Sequence, residues 1–354
     1  MSRSFIALIS MALMFAACSG DDAAETTIAD TTTSTSVATT TTAPETTTTT
    51  VDDRPRSPIN GMPVDDEALL YRRVIAVKVD NHPNARPQSG IQEADALFEI
   101  RVEGGITRFM AIFHDGDAEY LGPIRSGRPT DAKLIRALEA TLFISGAQGW
   151  VQQGIRNVGI TFFVQPDGMF RIGSRRAPHN LYGSTVELRA FADTVDVPDT
   201  PPPAGLWEFG ELPDDAIEVE TIDVAFSSGF DVQWQWNGEQ WERWFNDAPS
   251  QWSTEEGEES TISADTLVLI VGRYFTDGPS AGQGGSAVPS TDTVGEGRVV
   301  VAHGGTLVEG TWARESAEDP FTFTTLDGEP LPVPPGFMFG SIVPDSSGGD
   351  IGWE

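Results

Sequence analysis

Residues 96–113 read ALFEIRVEGGITRFMAIF. Phe98, Ile100 and Val102 fall on one side of an extended chain, and Glu99, Arg101 and Glu103 on the other. That period of two predicts a half-buried strand with a charged row. Gly104-Gly105 supplies a turn, and Arg108 to Phe113 returns as a second strand. Upstream, Val74 to Val79 (VIAVKV) is a short apolar run suited to a buried strand. It ends in Asp80-Asn81-His82-Pro83, where Pro83 disfavours a helix before it. Downstream, Thr130 to Ala140 carries helical spacing, with Leu134, Ala137 and Leu138 on one side and Thr130 or Asp131 as cap. Thr141 to Ser145 is a further strand. Strands mixed with helices predict a mixed α/β sheet domain over residues 55–195.

Residues 196–218 begin DVPDTPPP and read as a Pro- and acid-rich linker. Beyond it, over 219–346, strand signals recur without a convincing helix. Val232, Trp234 and Trp236 alternate into Asn237-Gly238, a two-residue hairpin turn that sets Trp236 against Glu239 and Trp234 against Trp241. Thr266 to Val271, Arg298 to Ala302 and Thr306 to Trp312 add strands, the last two joined at His303-Gly304-Gly305. Short strands at this spacing predict a β-rich sandwich or barrel-like domain. The Trp ladder either packs a core or offers a stacking platform for sugar or a protein partner. The fold class is therefore α+β in two domains.

The 354 residues hold 53 Asp+Glu against 22 Lys+Arg and a single Cys. One Cys excludes a disulfide scaffold and a Cys-based zinc cluster. Residues 54–195 carry 17 bases, 15 of them Arg, against 16 acids, whereas 196–354 carry 4 bases against 30 acids. The acidic balance excludes nucleic acid as a general partner.

Residues 1–17 read as an export signal, with Arg3, an apolar run from Phe5 to Ala17, and small residues before Cys18. The run is too short to span a hydrocarbon core of ~30 Å as a helix. The single Cys at its end resembles the lipobox of bacterial lipoproteins, with Phe15 where that motif usually has Leu, and assigns Cys18 as the lipidated residue. Residues 18–54 follow as a Thr-rich stalk whose composition cannot offset its ordering entropy, so disorder is expected. The folded part is then extracytoplasmic, anchored to the outer face of the bacterial cell membrane and held away from it.

Polar residues collect at the strand ends of the first domain, where sheets usually carry sites. They lie in four stretches, NHPNARPQSG, EGGITRF, LGPIRSGR and RRAPHNLY. In this order and spacing the stretches resemble the YerB-like bacterial lipoproteins, a domain of unknown function numbered 3048, over roughly residues 57–345. The resemblance implies an extracytoplasmic lipoprotein of two domains with no settled activity, so it supplies no catalytic residues. Gly127, where many relatives have Ala, and Arg101 are peculiar to this chain.

The candidate ligand-binding set is Asn81, His82, Arg86, Glu103, Arg108, Arg125, Ser126, Arg128, Arg175, His179 and Asn180. Guanidinium groups supply paired donors for carboxylate or phosphate. An anionic cell-envelope ligand or a partner protein fits a non-catalytic binding module. The bland alternative pairs these Arg with Asp80, Asp95, Glu99 or Glu103. An enzyme acting on a cell-wall polymer would use His82, His179 and Glu103. Glu99 and Glu103, four residues apart on one strand, would sit ~13–14 Å apart, beyond the ~6.5–9.5 Å of inverting glycosidases. Four scattered His and no HExxH give no metal site, and no cofactor is expected.

Overall fold

The computed structural model describes residues 52–279 and 285–354. The export signal, Cys18 and nearly all of the Thr-rich tract lie outside the described residues. Among the described residues no helix is long and apolar enough to cross a membrane.

The strands of both halves share one 11-stranded sheet. From one edge it runs Thr322–Thr325, Thr306–Arg314, Gly295–His303, Thr266–Gly272, Met338–Pro344, Ala96–Arg101, Thr107–Phe113, Ile75–Asp80, Thr141–Ile144 and Phe162–Val164, with Ile217–Glu218 added to Thr306–Arg314. The join lies in the middle, where Met338–Pro344 pairs in parallel with Ala96–Arg101. Gly340 stands opposite Phe98 there, and a Cβ at that position would overlap the ring. Thr266–Gly272 is apolar along its length because both of its faces are covered.

A second sheet of six strands comprises Ala248–Pro249, Trp241–Phe245, Phe230–Trp236, Thr221–Ser227, Asp350–Trp353 and, beside Trp241–Phe245, Ser263–Ala264. It packs on one face of the large sheet, where Val224, Trp234 and Trp241 meet Leu97, Phe109, Leu269 and Phe339. The opposite face is covered by the helices Pro129–Ile135 and Gly149–Val158, through Leu134 and Val151, and by Trp207. The α+β class and the β-sandwich of the second half follow from these layers.

Three expectations change. Ala96–Arg101 is buried on both faces rather than half-buried, and Glu99 is fully enclosed. The hairpin after Trp236 has a four-residue loop: Asn237 Oδ1 accepts from the N–H groups of Glu239 and Gln240 at 2.9 and 2.8 Å, closing an Asx-type turn. Trp236 therefore faces Trp241, and Trp234 faces Arg243. Finally, the Pro-rich segment after Asp196 is packed. Arg73 donates to the carbonyls of Val197 and Pro198, and Leu206 and Trp207 are buried against the sheet. The Gly304-Gly305 turn forms as read, both residues having positive φ.

Glu99 (0% exposed) meets Arg243 (1% exposed) across the two sheets, with Arg243 Nη2 2.7 Å and Nε 3.0 Å from its carboxylate. Thr107 Oγ1 and Asn81 Nδ2 donate to the same carboxylate at 2.6 and 3.1 Å. Removing one member of such a buried pair strands the other charge at a cost of ~3–5 kcal/mol. We expect Arg243→Met to lose that much stability in urea unfolding. Glu99→Gln added to it should recover a substantial part, since Gln still accepts from Thr107 and Asn81. A double variant as unstable as the sum of the two single variants contradicts the assignment.

Asp95, at the entry to Ala96–Arg101, accepts from the N–H groups of His114 and Gly116 at 2.5 and 3.1 Å. Burial, and then the nearby Asp115 charge, push its carboxyl up to about 7 from 3.8. A folded value above the unfolded one means that the protonated form is favoured by folding. The stability it supplies is full below about pH 4 and is lost as pH rises through about 7. The melting temperature should therefore fall between pH 5 and pH 8. Asp95→Asn should shrink that fall by at least ~2 °C, about 1 kcal/mol at this size. An unchanged pH slope in the variant rules this out.

Candidate functional site

The period of a strand places neighbouring residues on opposite faces, and at the end of Ile75–Asp80 this divides the candidate residues into two groups. Lys78 and Asp80, in phase with Ala76, face the helices. Asn81 continues the phase of Val77 and Val79 and faces the second sheet.

On the helix face, the segment 122–128 threads past the strand end. Asp80 N–H donates to Pro123 O at 2.8 Å, Arg125 N–H to Lys78 O at 2.7 Å, and Ser145 N–H to Arg125 O at 3.0 Å. The later loop is docked alongside through Leu121 and Gly183, each N–H bonded to the other's carbonyl. This brings His179 to Asp80, its Nδ1 2.7 Å from Oδ2. Arg125 Nε lies 3.1 Å from the same oxygen as an ion pair, with its N–H off the hydrogen-bond direction. His82 stacks on His179, ring centroids 4.6 Å apart, while its Nδ1 accepts from Asn84 N–H. His179 thus has an oriented ring with Nε2 left over to hold or pass a proton.

Behind this pair, Lys78 Nζ and Asp131 Oδ1 meet at 2.6 Å, both fully buried. Burial lowers the Lys78 ammonium from its ordinary value, and Asp131 opposes that shift. Arg128 and Glu103 form a two-pronged pair at 2.7 Å in both contacts. Burial pushes the Glu103 carboxyl up, but its bond to Arg128, the Arg128 and Arg108 charges and its own backbone N–H together hold it below the usual carboxylate range.

Arg108 is different. It is 7% exposed, and Nη1 donates only to Ser126 O at 2.7 Å. Nε is buried without a partner, and among the described residues no carboxylate lies within ion-pair distance. Burial and the Arg128 and Arg125 charges lower it to about 10. Ser126 Oγ lies 3.4 Å from Ser145 Oγ, both residues half-buried.

On the second-sheet face, Arg86 Nε and Nη2 donate to Asn81 Oδ1 and O, both at 3.0 Å. Arg175 ties the later loop to the segment after Ile75–Asp80, donating to the carbonyls of Ala85 and Pro87, and Asn180 accepts from Arg171 and donates to Ile172 O within its own loop. The structure thus brings His82, Glu103, Arg108, Arg125, Ser126, Arg128 and His179 to one face. It sets Asn81 and Arg86 on the other. Glu99 and Glu103 also separate, because Glu103 has left the strand and turns to Arg128.

Sequence reasoning missed Arg243, Lys78, Asp131 and Gln88. Arg243 carries a usable signal, since it shares the strand phase of Trp241, and a core-phase Arg demands a buried carboxylate. Trp234 and Trp241 are fully buried and offer no stacking surface. Among the described residues no three His, Cys, Asp or Glu side chains cluster as a metal site.

Comparison with known proteins adds a family. YerB of Bacillus subtilis (strain 168), whose name classes it as a lipoprotein, is 36% identical over 147 residues. That match covers 39% of this chain and 43% of YerB, so the chain spans less than half the length of this relative. The crystal structure of the B. subtilis YerB protein superposes with a TM-score of 0.71 at 23% identity, over 84% of this chain and 100% of that one, a likeness of fold. Residues 59–197 match the N-terminal domain, and residues 222–339 the C-terminal domain, of the protein of unknown function DUF3048. The chain belongs to that family, carrying its two domains in order.

Proposed function

We propose that the chain is a lipoprotein tethered outside the membrane through Cys18, whose first domain binds an anionic ligand of the cell envelope without transforming it. One observation carries the binding half: Arg108 is a buried guanidinium with no carboxylate at ion-pair distance among the described residues, and the Arg128 and Arg125 charges act against it. Arg108, Arg125 and Arg128 face Asp80 and Glu103, three guanidinium groups against two carboxylates. A buried charge without a counter-ion is costly, and a phosphate or carboxylate beside Ser126 relieves that cost. Arg125 and His179, both partly exposed, give such a ligand access. The lipid anchor rests on the signal pattern before Cys18 and on the name borne by YerB.

A second reading, hydrolysis of a wall polymer, is favoured by the Asp80–His179 pair alone, since a carboxylate that orients an imidazole is the arrangement of a general base. Turnover of wall fragments that His179→Gln abolishes, with ligand binding retained, would establish it.

Calorimetry with glycerol 3-phosphate as the probe tests the binding site. Arg108→Met should weaken binding at least tenfold, about 1.4 kcal/mol, and the exposed Arg273→Met should not. Equal affinity in Arg108→Met refutes the site. For the anchor, two acyl chains hold stably where one is marginal. Cys18→Ala should therefore move the protein from the membrane to the soluble fraction and abolish labelling by a palmitate analogue. Membrane retention in that variant counts against lipidation.

A further inference from the structure

The opposite face of the same sheet end holds a recess of about 280 Å³ lined by Asn81, Arg86, Gln88, Arg243, Phe245 and Pro249, among others. Arg86 dominates it. Its guanidinium lies over the Phe245 ring, 4.3 Å from the centroid, and 5.8 Å from that of Phe230. Nε and Nη2 are held by Asn81, which fixes the plane of the group and leaves Nη1 without an acceptor among the described residues. No carboxylate among them forms an ion pair with Arg86. Burial, then the Arg243 charge, lower it to about 10, so it remains a cation at neutral pH. Glu99 is consumed by Arg243, whose Nη1 is in turn taken by Ser250 Oγ. The acid that lines the recess is Glu259, exposed on the Gln251–Thr261 hairpin.

We propose that this recess binds a small monocarboxylate, its carboxylate on Arg86 and its hydrocarbon part against Phe245 and Pro249. The chemistry selects that class. Arg86 and Arg243 line the recess with Glu99 behind them on Arg243, and Glu259 is exposed, so the inner end holds one more cation than acid. One guanidinium edge satisfies a planar carboxylate, whereas a phosphate dianion would bring more charge and more acceptors than the walls can match. The Gln88 amide is already spent on Asp80 O and Asn81 Oδ1, leaving the rest of the lining largely apolar. Arg86 held in one plane by Asn81 and Phe245 is preorganised, so binding costs little side-chain entropy. The recess uses residues distinct from the Arg108 cluster and stands independently of it.

Calorimetry on the full chain with N-acetylalanine as the probe tests this, with N-acetylalaninamide and methyl phosphate as comparison arms. N-acetylalanine should bind at least tenfold more tightly than either. Arg86→Gln should reduce its affinity at least tenfold, and Glu259→Gln, which removes the competing acid, should raise it at least twofold. Arg108→Met should leave it unchanged, so loss of the other site and loss of this one are distinguishable. Amide binding equal to acid binding overturns the proposal, as does undiminished affinity in a folded Arg86→Gln. If Arg86→Gln does not fold, Glu259→Gln decides, and an unchanged affinity there is a refutation.

Discussion

A carboxylate enclosed in the middle of a sheet sets the terms for the rest of this molecule. Glu99 sits on the strand where the two halves join, and its charge is answered by Arg243 from the other half. Neither could be buried alone, because an unpaired ion in a medium of low dielectric constant costs several kcal/mol. The hairpin that carries Arg243 must therefore close over the first domain whenever that domain is folded. Its four-residue loop gives the register that points Arg243 inward beside Trp241. The short parallel pairing of Gln88–Ser89 with Gln251–Ser253 fastens the next hairpin, Gln251–Thr261, to the first domain as well. The two family domains are thus sequence segments that share a sheet and an ion pair.

The same constraint shapes the loops that carry the candidate sites. Asn81 and Thr107 complete the Glu99 carboxylate, so Asn81 is pinned to the second-sheet face and Asp80 is left to the helix face. Asp80 then organises His179 and Arg125, while Asn81 organises Arg86 and Gln88. Two polar clusters on opposite sides of the sheet hang from adjacent residues.

How much of this was legible follows from what periodicity can and cannot report. The strands around Val77, Phe98 and Phe109 were legible because apolar alternation reflects burial directly. The strand-end position of the candidate residues was legible too, since Pro83, Gly104-Gly105 and Pro123 mark where strands stop. The inward direction of Glu99 was not, because alternation assigns a charged residue to solvent unless its counter-charge is known, and Arg243 is 144 residues away. The hairpin register failed for a local reason: Asn237-Gly238 favours a two-residue turn, but the Asn237 side chain closed a longer one. The division of the candidate set between two faces needed the strand phase to be carried one residue past Asp80, across a boundary that composition does not mark.

The preference for Arg over Lys in the first domain has a physical reading in these sites. Lys78, fully buried, is matched directly by a buried Asp131, and burial still lowers its ammonium from the ordinary value. Among the described residues Arg108 and Arg86 have no such carboxylate, yet even when lowered to about 10 they remain charged at neutral pH. An ammonium starts about two units lower than a guanidinium, so the same burial would leave a Lys at either position a much smaller margin of charge at neutral pH. A cation buried without a paired carboxylate therefore keeps its charge more securely as a guanidinium. On this argument the 15 Arg and 2 Lys of residues 54–195 reflect more than surface solvation. At Arg86 and Arg108 the guanidinium is what lets the protein keep an unmatched positive charge inside, on each side of one sheet.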